Sequence, residues 1–371
     1  MQKSDELNKI TFFNQVKYLD ANFNQILLKL IFFCSIHKNI QKWCMYSDYS
    51  FEKANKTITF VIVPAEKYLE ALNSLIKKVL PKDMKHTRSI DEEKRKLLTS
   101  NFFFSISFIL ENENKMIKNI SKELIVDYLN LIISNKSINI NDETKDKINL
   151  IIKDTKKKNF NKKLFHRITT TTYLAAYVEY KFIESFKGKL EAFGWFSDRD
   201  VITTAYKGIY SLFYSINRNN FLEYIENELP LRYIFAQPLD IKKYLISLPA
   251  PEIFNEKELF YDSYNRIADY ICATIADYNM KKSIVSHKKF INMLEYVLTH
   301  PNHNIININY NKISNIKILY SEERKILSKK INKISKILEK YNNGSFCNSK
   351  RIKFLKELQI HYKNEYDNCI K

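Results

Sequence analysis

Only four glycines occur in this chain of 371 residues, together with seven prolines. Tight turns with positive φ lean on glycine, and all-β sandwiches need a turn signal about every dozen residues. An all-β fold is therefore excluded. The same scarcity removes both glycine-rich phosphate cradles, since neither G-x-x-x-x-G-K-[ST] nor G-x-G-x-x-G occurs. What remains is a chain of long helices and strands. A hydrophobic content of 45%, with 24 Tyr and 25 Phe, supplies the apolar surface for a substantial core.

Five cysteines (Cys34, Cys44, Cys272, Cys347, Cys369) are odd in number, and none forms C-x-x-C. That pattern fits a reducing compartment without a zinc ribbon. The apolar run Ile26 to Ile36 is interrupted by Lys29 and is too short to span a bilayer. Acidic residues precede it, unlike a secretory leader. A cytoplasmic location with no membrane association is the expectation. The net charge of +19 is unevenly placed, with 19 Lys/Arg against 7 Asp/Glu from Lys281 onward. Such a tail suits a polyanion, or is a solvated helical surface.

Periodicity lays out the elements. Residues 5–38 carry a helical stripe. Gln41 to Ser47 reads as a short strand that ends at Asp48, and Thr57 to Val63 as a second strand stopped by Pro64. Glu66 to Leu80 is helical. Asn101 to Leu110 (NFFFSISFIL) is apolar on both faces, as a central strand would be. A helix follows over 115–133, and Lys147 to Lys153 (KINLIIK) reads as a further short strand ending at Asp154. Thr169 to Leu190 and Val201 to Ile216 are helical, Leu231 to Ala236 is a strand, and Glu256 to Met280 is a helix. Asn302 to Tyr310 reads as an edge strand or a loop. Ser321 onward forms a helical hairpin broken at Gly344, a surface for nucleic acid or a protein partner.

Between two of these helices lies Gly194-Trp195-Phe196-Ser197-Asp198-Arg199-Asp200, which uses one of the four glycines and one of the two tryptophans. Two acids flanking a guanidinium are costly to hold together without a cation, a metal or a structural partner. The segment is expected as a rigid turn anchored by Trp195. From it Asp198 or Asp200 reaches a metal site, or Ser197 or Asp198 caps the following helix.

Acids at element ends are the candidates for chemistry: Asp48 after the first strand, Asp154 after a late strand, Asp269 in the last body helix. Each has a bland alternative. Asp48 caps a loop, Asp154 is a solvated turn beside lysines, and Asp269 pairs with Arg266 or Tyr270. Glu295, His300 and His303 are loosely zinc-like, but Pro301 breaks the helix that would align them. Lys156, Lys157, Lys158, Lys162 and Lys163, with Lys329, Lys330 and Lys333 in the tail, are candidates to track a phosphate backbone.

Trp43-Cys44-Met45-Tyr46-Ser47-Asp48-Tyr49-Ser50, followed by Phe60-Val61-Ile62-Val63-Pro64 and a helix, resembles the opening of an uncharacterised family of ribonuclease-H-like proteins. In that family the first strand ends in Asp-Glu-Ser-Gly. Arg266 to Ala273 (RIADYICA) is similar to the family's late helix, and Lys85-His86 to its basic or histidine-containing spot after the first helix. The resemblance covers about residues 40–280. It implies an α/β domain with a ribonuclease-H-like mixed sheet flanked by helices and a helical insertion at about 165–230. Around it lie a helical segment over 1–39 and a basic helical extension over 281–371. It further implies a magnesium-dependent nuclease, with Asp48 and Asp269 as metal ligands and Asp154 closing the site. Asp198, Asp200, Lys85 and His86 are accessory. This chain departs at Tyr49, where the family has Glu, and no glycine follows Ser50. That departure makes a non-cutting member, binding nucleic acid or a partner within a larger assembly, the alternative.

Overall fold

A computed structural model describes residues 18–53, 55–65, 69–81, 87, 89–134, 140–198, 200–222, 225, 232–236, 261–279, 283–310 and 360. For residues 69, 70, 119 and 232–236 it describes the backbone alone. The chain divides into two compact units, Phe23–Ile308 and a second made of Met1–Asn22 with Asn309–Lys371. In the second unit, residues 18–22 are helical. Lys85, His86 and the expected C-terminal hairpin with Lys329, Lys330 and Lys333 lie outside the described residues.

The larger unit runs through α1 (Leu27–Ile36), β1 (Lys42–Ser50), β2 (Thr57–Pro64), α2 (Leu69–Val79), α3 (Glu92–Leu98) and β3 (Phe104–Glu111). It continues with α4 (Glu113–Asn119), α5 (Lys122–Ser134), α6 (Asp142–Thr155), α7 (Lys162–Ser185), β4 (Ala192–Ser197) and α8 (Val201–Leu222). Next come β5 (Arg232–Ala236), α9 (Asp262–Asp277), the small pair β6 (Tyr278–Asn279) and β7 (Ile284–Val285), then α10 (Ile291–Thr299) and β8 (His303–Asn309).

Six strands form one sheet in the order β5-β4-β1-β2-β3-β8. The meander β1-β2-β3 is antiparallel, while β4 joins β1, and β5 joins β4, in parallel. Parallel neighbours require crossovers, and α7 and α8 provide the length for them. β2 is buried at all eight positions, which suits its β-branched and aromatic run TITFVIVP. One face of the sheet carries Trp43, Phe193 and Trp195, whose rings meet Phe182 of α7 and Tyr210 and Tyr214 of α8. The other face carries Tyr46, Val61 and Val63 in one apolar cluster with α2, α3, α9 and α10. Helices on both faces bury the sheet on both sides, as an α/β layer requires.

Three expectations change. Residues 147–153 are helical, inside α6, where Asn141 accepts the Thr144 amide as N-cap and Ile148 and Ile151 face inward. A short apolar run does not distinguish strand from helix. The span expected as one helix over 115–133 is two, α4 and α5, separated at Ile120–Ser121. The tryptophan motif is a strand rather than a turn between helices: Phe193 to Ser197 are all buried. So the span 165–230 contributes a core strand, β4, between α7 and α8.

β8 pairs at the edge and buries His303. Its Nε2 lies 2.8 Å from the Leu98 carbonyl oxygen, which can only accept, so Nε2 carries the hydrogen. Nδ1 then accepts from the Ser105 hydroxyl at 2.7 Å. Burial, reinforced by His300, lowers the His303 pKa to about 3. Burial lowers His166 to about 4 although the Glu113 charge opposes it. Both folded values lie below the ordinary 6.5, so the unfolded chain takes the protons first. Stability from these two residues is intact above about pH 6.5 and falls as pH drops toward 4. Each proton is worth ~1.4 kcal/mol per pH unit. Urea unfolding at pH 5 should show up to ~4 kcal/mol less stability than at pH 7, with His303→Gln removing about half of the difference. An unchanged pH response in that variant would count against the buried neutral imidazole.

Candidate functional site

Two neighbouring strands bring the first acids together. Ser47 faces Ser197 across β1 and β4, and the Asp198 amide donates to the Ser47 carbonyl at 3.2 Å. Strands lie about 4.8 Å apart, so Asp48 and Asp198 leave adjacent strands side by side. Alternation puts both on the face of Tyr46 and Phe196, whose rings stack with centroids 5.6 Å apart. Helix α9 covers that face and stacks Tyr264 on Tyr46 at 4.9 Å.

The third acid comes from α9. Every residue of this helix is buried except Asp262, Asp269 and Ala273, which are half-buried. Asp269 therefore stands where the helix meets solvent. Cys272, three residues on, is buried, with its thiol 3.6 Å from the Thr57 carbonyl oxygen of β2. Thr59 is the cross-strand partner of Asp48. Burial, then the charges of Asp269, Asp198 and Asp200, hold the Asp48 carboxyl well above the ordinary carboxylate range, against one backbone hydrogen bond at Tyr49. Like charges gathered on a desolvated carboxylate favour a proton or a cation.

Asp200 has a different role. Its Oδ1 accepts from the amides of Ile202 at 2.7 Å and Thr203 at 3.3 Å, and its own amide donates to the Thr203 hydroxyl at 3.1 Å. This reciprocal pair caps α8, a role expected for Ser197 or Asp198. The same Oδ1 accepts from the Tyr49 hydroxyl at 2.5 Å. Tyr49 thus fastens β1 to the α8 cap from the sheet face opposite Asp48. Asp200→Ala should cost about 1–2 kcal/mol in chemical denaturation, the scale of a lost N-cap. A neutral or stabilising result would show that charge repulsion outweighs the cap.

Asp154 lies elsewhere. It sits in the last turn of α6, ion-paired with Lys157 at 2.8 Å. It also accepts from the Tyr206 hydroxyl at 3.0 Å. Tyr206, Lys207 and Gly208 have φ of 51°, 56° and 74°, a left-handed break in α8 that carries the phenol outward to this acid. The Lys157 hydrogen bond holds Asp154 below the ordinary carboxylate range, opposite in direction to Asp48. The strand expected to end at Asp154 is a helix, and the partners of its carboxylate are Lys157 and Tyr206.

Of the candidate lysines, those at 156–163 lie among the described residues. Lys156, Lys157 and Lys158 are exposed at the end of α6. Lys162 donates to the Ile120 carbonyl at 2.8 Å, Lys122 donates to the Lys157 carbonyl, and Lys163 donates to Glu52 at 3.1 Å. The starts of α5 and α7 and the end of α6 thus make one basic surface. The zinc-like trio does not survive: both ring nitrogens of His303 are engaged in the core, and Glu295 is exposed.

Among the described residues, no three or more His, Cys, Asp or Glu side chains stand ready to hold a metal. No helix among them is long and apolar enough to cross a membrane. Asp198 escaped a primary assignment because its strand was read as a turn. Its signal was the apolar run AFGWFS with an acid behind it, the same pattern that marks Asp48. Compared with family models, curated proteins and solved structures, the chain matches none.

Proposed function

We propose that this chain is a magnesium-dependent nuclease of ribonuclease-H-like build, with Asp48, Asp198 and Asp269 as its metal-binding acids. The observation that carries this is that Asp48 of β1, Asp198 at the end of β4 and Asp269 of α9 lie on one side of the sheet, where burial and the charges of Asp269 and Asp198 raise the Asp48 pKa. A three-stranded meander extended by two parallel strands, with helices on both faces, supports the same build.

The donor set fits the ion. All three are hard oxygen donors, and magnesium typically takes one or two carboxylates, keeping waters and substrate phosphates for the rest. A preassembled three-ligand cage is therefore not required. When bound, magnesium supplies Lewis acidity at the phosphodiester and lowers the pKa of water. Asp48 provides a fixed anchor in the sheet, Asp269 a second from α9, and exposed Asp198 one that can turn toward either substrate or solvent. Lys156, Lys157, Lys158 and Lys162 would hold the phosphate backbone electrostatically, without reading bases.

One observation favours the binding-only alternative. Tyr49 occupies the position at which the resembling family has Glu, and it is committed to Asp200. The test is cleavage of labelled single-stranded, duplex and hybrid nucleic acids in magnesium against EDTA, by the parent protein, Asp48→Asn and Asp154→Asn. Magnesium-dependent cutting that Asp48→Asn loses and Asp154→Asn keeps is expected. Equal cutting by parent and Asp48→Asn sinks the assignment, and salt-sensitive binding without turnover selects the alternative.

A further inference from the structure

The turn between β1 and β2 carries Glu52, whose side chain is 75% exposed. Its Oε1 nevertheless accepts from two cations at once, Lys163 Nζ at 3.1 Å and Arg167 Nη1 at 3.0 Å. These two lie four residues apart on α7, on one face near its start. Their hydrogen bonds hold the Glu52 carboxyl below its ordinary range.

Arg167 is built into the protein, whereas Glu52 is not. The arginine side chain is 12% exposed, its Nη2 donates to the Phe51 carbonyl at 3.2 Å, and its guanidinium lies over the Phe51 ring at 4.2 Å. Its Nε is 3.5 Å from Oε1 of the fully buried Glu113. Glu113 is also 3.2 Å from Lys56 Nζ, so it is shared between two cations. The guanidinium is therefore held from behind, with one edge left to meet an anion. A fixed guanidinium edge beside a flexible ammonium is the donor geometry that suits a phosphate oxygen.

We infer that Lys163 and Arg167 form a binding site for a nucleic-acid phosphodiester group, which the Glu52 carboxylate fills in the free protein and yields to substrate. This rests on the nucleic-acid reading above and adds to it a self-occupied subsite. With Glu52 displaced, Lys56, Lys163 and Arg167 stand against Glu113 alone, leaving an excess of positive charge for the incoming phosphate. Glu52 lies in the turn two residues beyond the end of β1, the strand that carries Asp48. Exposed ion pairs are weak, so Glu52 competes mildly.

The test is fluorescence anisotropy with a fluorescein-labelled single-stranded DNA dodecamer in EDTA. Glu52→Gln should bind about five-fold more tightly. Glu184→Gln removes the same charge at the far end of α7, about 32 Å away along the helix, and should change affinity by less than about two-fold. Lys163→Ala should weaken binding and abolish the gain from Glu52→Gln, a coupling that a double-mutant cycle reads directly. A Glu52→Gln effect no larger than that of Glu184→Gln, or one that persists in Lys163→Ala, overturns the inference. Absence of binding by every form overturns it too. Because no magnesium is present, the cleavage assay decides the catalytic assignment separately.

Discussion

Asp48→Asn should abolish magnesium-dependent cleavage and, in the same molecule, raise the melting temperature. Loss of a metal anchor removes several kcal/mol of transition-state stabilisation, at least ~10³-fold in rate. The stability change has the opposite sign because the Asp48 carboxylate is a cost to the fold. Burial and the charges of Asp269, Asp198 and Asp200 raise its pKa. A group with a raised folded pKa stabilises at low pH and loses that contribution as pH rises through the folded value. At neutral pH an isosteric amide escapes both burial of charge and repulsion. For a body of this size each kcal/mol gained appears as a rise of about 2–4 °C.

Thermal melts of the parent and variant, with and without magnesium, check both halves. Magnesium should stabilise the parent by mass action and the variant much less. Asp200→Ala supplies the contrast, since removing a cap lowers stability. A drop in melting temperature for Asp48→Asn would mean that the carboxylate is a structural acceptor, and the functional assignment would lose its physical basis.

Trp195→Ala should cost about 3–5 kcal/mol, the range for emptying a buried aromatic site. The indole is fully buried in β4, donates to the Ser47 hydroxyl at 2.9 Å, and touches Tyr214 at 4.5 Å and Tyr210 at 5.1 Å between ring centroids. Against a total stability on the order of 5–15 kcal/mol, that is a large share. It also leaves the Ser47 hydroxyl without its partner in the core, beside the strand ends that hold Asp48 and Asp198. Urea unfolding of the variant measures the loss, with Trp195→Phe expected to recover most of the packing but not the hydrogen bond. A loss below about 1 kcal/mol would mean that β4 is not an interior strand.

Much of the framework was legible from periodicity. β1, β2, β3 and β5 fall close to the expected spans, because β-branched and aromatic runs bounded by Asp, Pro or Asn signal strands directly. α2, α7 and α9 followed from apolar residues at helical spacing. Two elements misled, for a common reason. KINLIIK and AFGWFS are both short and apolar, and neither length nor composition says what lies on their two sides. The first is helical because a capping Asn141 precedes it and only Ile148 and Ile151 face the core. The second is a strand because β1 and β5 flank it and helices cover both faces.

For the site, Asp48 and Asp269 were identifiable as acids set in apolar surroundings, and the lysines of 156–163 as a basic run. The structure puts Asp198 at the end of a strand beside β1 and Asp154 at the end of a helix. Both follow apolar segments, and local sequence offers no reason to prefer one.

By itself, the amino-acid sequence determined the class of structure: too little glycine for an all-β fold, and apolar periods for a buried sheet covered by helices. It also determined which side chains could hold a cation or a phosphate. Only the tertiary structure decided which acids share one side of the sheet. Parallel pairing of Ser47 with Ser197 sets Asp48 beside Asp198, and the packing of α9 across the sheet adds Asp269. Such contacts join residues 150 to 220 positions apart, and their geometry depends on strand order and helix placement, which no local pattern encodes.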